Sequence, residues 1–249
     1  PTPNPNPNPN PNPGGADFEA VVSAYVDEHS DPEPEYLKDL RERLPSTEVA
    51  SGAHMISGIS QGRLLAILCR LSGAKTVLEI GTFVGYGTLC LAEGAEKVVT
   101  LERDDRAVKL ARGAFAAAPA ELREKIDLRV GAAADGIAAL AAEGAEFDVV
   151  YMDADKRSYR DYLDMVTPLL RPNALVFVDN TLFRGLVPFV PDGELPQETN
   201  PNPNPKLRAR HEKIAEAMHA FNAAVAANDR FEQAILPLRD GLNIIRFKG

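Results

Sequence analysis

From Thr76 to Val178 the chain alternates short β-branched and aliphatic runs with longer, Ala-rich stretches whose apolar positions recur at helical spacing. The strand-like runs are TVLEI (Thr76 to Ile80), KVVTL (Lys97 to Leu101), DLRV (Asp127 to Val130), FDVVYM (Phe147 to Met152) and ALVFV (Ala174 to Val178). Between them the spacing predicts helices over Gly87 to Glu93, Asp104 to Ala117, Ala133 to Glu143 and Ser158 to Leu170. Apolar strands alternating with helices imply right-handed crossovers and a parallel sheet covered on both faces, an α/β architecture. Helical spacing also marks Phe18 to Glu28, Pro34 to Leu44 and Gln61 to Leu71, ahead of the first strand. At the far end a helix over Lys206 to Ala227 precedes FEQAILPL and LNIIRF, which flank the turn signal RDG. That pair predicts a terminal hairpin extending the sheet edge, antiparallel to its neighbour.

Two stretches break the pattern. PTPNPNPNPNPNPGG at the start and TNPNPNP (Thr199 to Pro205) repeat Asn-Pro, and a proline at every second position removes the amides that helix or central strand would need. Residues 1–15 are expected to be a low-complexity tail and 16–249 a single domain, since 249 residues at 45% apolar suit one substantial core. Lys and Arg number 27 against 36 Asp and Glu, a net charge of −9 with no basic run, which argues against nucleic acid as a partner. Cys69 and Cys90 have neither metal nor CxxC spacing, so a reducing cytoplasm fits. No apolar run approaches the roughly 20 residues of a membrane span, and the first residues lack the basic-then-apolar order of a signal peptide.

Chemistry gathers at the predicted strand ends. After the first strand, LEIGTFVGYG places Gly81, Gly85 and Gly87 in a G-x-x-x-G-x-G loop preceded by Glu79. Glycines at a strand-to-helix turn admit a ligand close to the backbone, and the helix start offers free amides. A dinucleotide fingerprint would read G-x-G-x-x-G; the wider loop suits an adenosyl group with an amino-acid tail. Glu102 ends the second strand, 21 residues after Gly81, where an acid can accept from a ribose diol. The alternative is a glycine turn needed for packing, with Glu102 a surface charge. GAAAD (Gly131 to Asp135), after the third strand, leaves room for a flat ring.

The fourth strand ends in YMDADK, which places Asp153, Asp155 and Lys156 where isolated charges are costly, and the fifth ends in VDN, Asp179 and Asn180. Parallel strands carry these to one edge. Asp153, Asp179 and Asn180 then form a hard, incomplete oxygen set suited to Mg²⁺, Mn²⁺ or Ca²⁺. Asp153 and Asp179 could instead be helix caps, and Lys156 could merely neutralise them; beside a cation its ammonium would be disfavoured and could accept a proton. His29, His54, His211 and His219 lack ligand spacing.

LEIGTFVGYGTLCLA, YMDADKRSYRDY and VDNTLF together resemble the cation-dependent O-methyltransferases related to catechol and caffeoyl-CoA O-methyltransferases, over about Met55 to Phe247. The resemblance implies a Rossmann-like seven-stranded methyltransferase sheet, mostly parallel with an antiparallel C-terminal hairpin strand, and commonly a homodimer. It implies a divalent cation, Mg²⁺ first, on Asp153, Asp179 and Asn180, with Lys156 taking the proton of the attacking hydroxyl. It also implies S-adenosylmethionine held by Met55, Glu79, Gly81, Thr82, Phe83, Gly85, Gly87, Thr88, Glu102, Arg103, Ala132, Ala133 and Asp153. The acceptor would be a small vicinal dihydroxy aromatic, free or as a coenzyme A ester. Three positions depart from the family: Gly87 stands at a common serine, leaving Thr88 or backbone amides to replace its hydroxyl; Ser60-Gln61 stand where an acid is common; Phe183 replaces a frequent tryptophan. A binding protein that keeps the glycine loop but methylates nothing, and a nicotinamide-dependent dehydrogenase, are the rival readings; the first is opposed by the intact metal and lysine set, the second by the missing fingerprint.

Overall fold

The computed structural model describes residues 15–249 except 48, 50, 51, 53, 54, 192 and 194–203, with the backbone alone described for 15–20. The first Asn-Pro tract, most of the second and His54 lie outside the described residues. Three helices, α1 (Gly15–Glu28), α2 (Glu35–Arg43) and α3 (Ile59–Ser72), precede the sheet. There follow β1 (Thr76–Ile80), α4 (Tyr86–Gly94), β2 (Lys97–Glu102), α5 (Asp105–Ala117), the short α6 (Ala120–Arg123), β3 (Ile126–Val130), α7 (Ala133–Ala142) and β4 (Phe147–Met152). The chain then continues through α8 (Tyr159–Val166), β5 (Leu170–Asp179), α9 (Pro205–Ala226), β6 (Phe231–Leu236) and β7 (Leu242–Phe247).

One seven-stranded sheet runs in the order β3-β2-β1-β4-β5-β7-β6. The first five strands pair in parallel, and β7 enters antiparallel between β5 and β6. The expected hairpin therefore extends the sheet through its second strand. Burial follows the predicted pattern: Val77, Leu78, Ile80, Val149, Val150, Met152, Val176, Phe177 and Val178 are fully buried. One layer packs α7, α8 and α9 side chains such as Ile137, Tyr159 and Met218 on the sheet, while Leu65 and Cys69 of α3 pack on the opposite face with Leu91 of α4.

Two boundaries differ most from expectation. The helix predicted to reach Leu170 stops at Val166, because Pro168 has no amide to continue it and Thr167–Leu169 tighten into a 3-10 turn. β5 begins at Leu170 instead of Ala174, hidden in the sequence by a bulge: Phe147 faces Leu170, Val149 faces Leu175, and Asn173 takes φ of 68°. The end of the second Asn-Pro tract has a definite role, since the Asn204 side chain accepts from the Lys206 amide and Pro205 occupies the first turn of α9.

Candidate active site

The parallel strands deliver their C-terminal loops to one edge, where a cavity of about 540 Å³ opens. Gly81 and Phe83 enter it from the loop after β1, Glu102 and Arg103 from the end of β2, and Gly131 to Ala134 from the start of α7. Asp153 to Lys156 follow β4, Asp179 and Asn180 end β5, and Met55 to Ser57 close the wall from before α3. A cavity of this size on which charged and polar side chains converge is a small-ligand site.

The glycines divide into distinct tasks. Gly81 has φ of 100°, and a Cβ there would overlap the backbone carbonyl of Asp153. Glycine thus allows the loops after β1 and β4 to touch, fixed by Gly81 N–H to Leu101 O at 3.0 Å and Asp153 N–H to Ile80 O at 2.9 Å. Gly85, at φ of 88°, caps α4 against the Phe115 ring, 2.5 Å from where a Cβ would stand. Gly87 leaves space for Glu79 Oε1, 2.8 Å from its own would-be Cβ.

Glu79 is 1% exposed, and its Oε2 accepts from Thr88 Oγ1 and, at 2.5 Å, from Thr100 Oγ1, whose oxygen lies 2.5 Å from Thr82 Oγ1. Burial pushes the Glu79 carboxyl up from the usual 4.5 to about 8; the two threonine hydroxyls oppose this, and Asp153 and Glu102 add to it. Thr88 is fully buried with its hydroxyl committed to Glu79. It is therefore not turned to the cavity as the replacement for a serine hydroxyl that the sequence suggested. Gly85 and Thr88 support the loop from behind, Gly81 and Phe83 face the cavity, and Glu79, Thr82 and Gly87 line a small recess beside it.

Glu102 Oε2 accepts the Phe83 amide at 2.8 Å, and Oε1 accepts the amides of Arg103 and Asp104 at 2.7 and 2.9 Å. Three of a carboxylate's roughly four acceptor directions are thereby filled, which leaves one for a ligand hydroxyl. Ala132 caps α7 and Ala133 begins it, so small side chains leave the helix start open to the cavity. Met55 is 55% exposed and lines the same cavity.

The pairing of Met152 with Val178 makes Asp153 and Asp179 lateral neighbours. Asp179 is 7% exposed; its Oδ2 accepts from Gln61 Nε2 at 2.7 Å and Tyr151 Oη at 3.2 Å, and its Oδ1 from the Asn180 amide at 2.7 Å. Burial first, and the Asp153 charge second, push the Asp179 carboxyl up to about 6. Lys156 Nζ donates to Asp153 Oδ1 at 2.8 Å. Burial alone would lower the lysine, but Tyr159 and the Asp153 carboxylate outweigh it and hold the ammonium above its ordinary value.

Among the described residues no group of three or more His, Cys, Asp or Glu side chains is arranged to hold a metal ion. The Asp153, Asp179 and Asn180 set contains two carboxylates, and its third donor is an amide. The sequence flagged Gln61 only as a departure; the structure gives it work, since an amide can donate to Asp179 where an acid would repel it. Its signal was a polar side chain on an apolar helix. Arg239 and Asp240 also line the cavity, although RDG read only as a turn, and His211 packs edge-on against Phe183 with centroids 5.9 Å apart.

A seven-stranded sheet with an antiparallel β7 inserted beside β5, and a cavity across its parallel strand ends, defines a methyltransferase fold. The SAH-bound methyltransferase of Podospora anserina superposes with a TM-score of 0.81 at 26% identity, covering 96% of this chain and 99% of its own. The Bacillus cereus O-methyltransferase in complex with SAH gives 0.74 at 26% identity, covering 92% and 97%. A profile described as O-methyltransferase matches residues 27–248. Caffeoyl-CoA O-methyltransferase 2 of Zea mays is 32% identical over 86% of this chain and 77% of its own length. Catechol O-methyltransferase of Niastella koreensis is 31% identical over 72% and 74%. The chain belongs to the O-methyltransferase family, of the caffeoyl-CoA and catechol type.

Proposed function

We propose that residues 16–249 form one catalytic domain that transfers a methyl group from S-adenosylmethionine to one oxygen of a vicinal dihydroxy aromatic, assisted by a divalent cation. The observation that carries this reading is the convergence of Asp153, Lys156, Asp179 and Asn180 on the cavity that also receives Gly81 and Glu102. SAH stands in two of the structural relatives, and Glu102 and the open start of α7 offer polar contacts for the same class of ligand.

The donor set fits a hard cation. Two neighbouring carboxylates, one desolvated enough to be raised to about 6, carry repulsion that a cation between them would relieve. Asp153, Asp179 and Asn180 would hold it, and when bound it supplies Lewis-acid lowering of the acceptor hydroxyl pKa and a template for both oxygens.

The remaining work belongs to side chains of this chain. The loop after β1 would hold the sulfonium donor close to the loop after β4, since Gly81 packs against the Asp153 backbone. Met55, Phe183 and Tyr162 wall the cavity and would orient the acceptor ring. The oxygen-to-carbon bond forms as the carbon-to-sulfur bond breaks, and Lys156 Nζ takes the hydroxyl proton. It can do so only once its pair with Asp153 no longer holds it as an ammonium.

The reading includes a cytoplasmic homodimer. Support for the dimer comes from exposed apolar side chains: Val21 and Tyr25 on α1 and Leu71 on α3 are 67%, 61% and 78% exposed. Among the described residues no helix is long and apolar enough to cross a membrane.

A methyl-transfer assay over a catechol panel, free acids and coenzyme A esters included, tests the proposal. Lys156→Ala should lower kcat roughly a hundredfold with KM little changed, and Asp153→Ala should abolish cation-dependent turnover. Full activity after exhaustive EDTA treatment would remove the cation from the reading.

A further inference from the structure

Asn180 is the weakest member of the proposed donor set, because an amide can present either its oxygen or its NH₂ to the cavity. Only the oxygen can meet a cation. What decides between the two orientations comes from 60 residues further along the chain.

The turn between β6 and β7 lies against the loop that follows β5. Asp240 Oδ2 accepts from Asn180 Nδ2 at 3.1 Å, and Asp240 Oδ1 accepts the backbone amide of Arg184. The main chain adds Leu182 N–H to Asp240 O at 2.9 Å and Thr181 N–H to Gly241 O at 3.0 Å. Gly241 sits so close, at φ of 91°, that a Cβ would stand 2.6 Å from the Leu182 nitrogen. The loop it grips is strained: Asn180, Phe183 and Arg184 all have positive φ, 60°, 27° and 56°. Such a loop keeps its shape only when its surroundings hold it.

We propose that Asp240 is a positioning residue that fixes the Asn180 amide with its oxygen toward the cavity. A carboxylate has no proton to donate, so it can pair only with the NH₂ side of the amide. That choice leaves the Asn180 oxygen as the free end. The inference rests on the reading of Asn180 as an oxygen donor, and it assigns the cause of that role to a residue outside the donor set.

Asp240→Asn supplies the test, since it preserves size and keeps an oxygen for the Arg184 amide. Its new NH₂ would face the NH₂ of Asn180, and relief of that clash turns the Asn180 oxygen away from the cavity. Mn²⁺ affinity of the cofactor-free protein, read by electron paramagnetic resonance of the free ion, should fall about tenfold or more. Pairing Asp240→Asn with Asn180→Asp exchanges donor and acceptor, keeps the net charge and returns an oxygen to the cavity. It should recover the affinity, a rescue that a merely structural loss would not show. Unchanged Mn²⁺ affinity in Asp240→Asn, or no recovery in the double variant, would overturn the inference while leaving the cation reading standing. A wild-type protein that binds no Mn²⁺ would end the cation reading, and this inference with it.

Discussion

Glu79 gives the sharpest quantitative prediction, because a fully enclosed carboxyl must leave a mark on stability against pH. Its pKa is about 8 in the folded protein against the usual 4.5, raised chiefly by burial. Between those values the folded chain holds the proton and the unfolded chain has lost it, so folding takes up one proton. Stability is then greatest below pH 4.5 and falls as pH rises, by about 1.4 kcal/mol per unit, until the folded carboxyl ionises near 8. At pH 7.5, some three units above the unfolded value, the burden is about 4 kcal/mol. Glu79→Gln is the clean perturbation: its amide oxygen can accept from Thr88 and Thr100 as Oε2 does, and it does not titrate. The extra amide hydrogen makes the absolute stability of the variant a poor gauge, whereas the slope is not affected by it. Urea denaturation of cofactor-free wild type and variant at intervals from pH 5.5 to 7.5 should show their difference changing by about 2 to 3 kcal/mol, wild type losing ground as pH rises. Other groups, Asp179 among them, titrate in both proteins and cancel in the difference. A difference constant within about 0.5 kcal/mol would mean Glu79 is already ionised in the fold, and the reasoning from burial would be refuted.

Three further outcomes are expected. Gly81→Ala combines a φ of 100° with a Cβ overlapping the Asp153 backbone, and should cost about 4 kcal/mol in urea denaturation; a loss under 1 kcal/mol would show that the two loops part easily. Gln61→Leu removes the 2.7 Å donor from buried Asp179 and should destabilise by about 2 kcal/mol by the same measurement, with near-neutrality showing that Tyr151 and the Asn180 amide suffice. If the proposed dimer forms through Leu71, which is 78% exposed, Leu71→Glu should shift the sedimentation coefficient from dimer to monomer and lower thermal stability only at concentrations where wild type is dimeric; an undiminished dimer would refute a contact through Leu71.

How much of this was legible in the sequence depended on the range of the interaction concerned. β1 and β4 were readable to the residue, Thr76 to Ile80 and Phe147 to Met152, since each is a local apolar run between turn signals. The α8 to β5 boundary was not, because Pro172 and Asn173 look like a loop and only the partner strand shows that they form a bulge. The site divides the same way. Asp153, Lys156, Asp179 and Asn180 follow strand ends, and a parallel sheet brings such residues together by topology alone. Thr88 shows the limit of that argument: spacing placed it on the glycine loop, but which way its hydroxyl points was set by Glu79, buried by contacts from other strands.

The same distinction explains why the supporting residues were harder to see than those they support. Gln61 lies on α3 and Asp240 between β6 and β7, so both reach the strand-end residues from elements distant in sequence, and neither sits in a motif. Yet each settles an ambiguity left by its partner. Asp179 could be an ionised ligand or a neutral, desolvated acid, and the Gln61 amide favours the ionised form by donating to it. Asn180 could present oxygen or nitrogen, and the Asp240 carboxylate admits one orientation. On the proposed reading, a chain with the strand-end motif but an amide at 240 would carry the family signature while losing the fixed orientation of Asn180. Motif and competence are separable on that reading, and the separation lies in a hydrogen bond between elements that sequence spacing cannot connect.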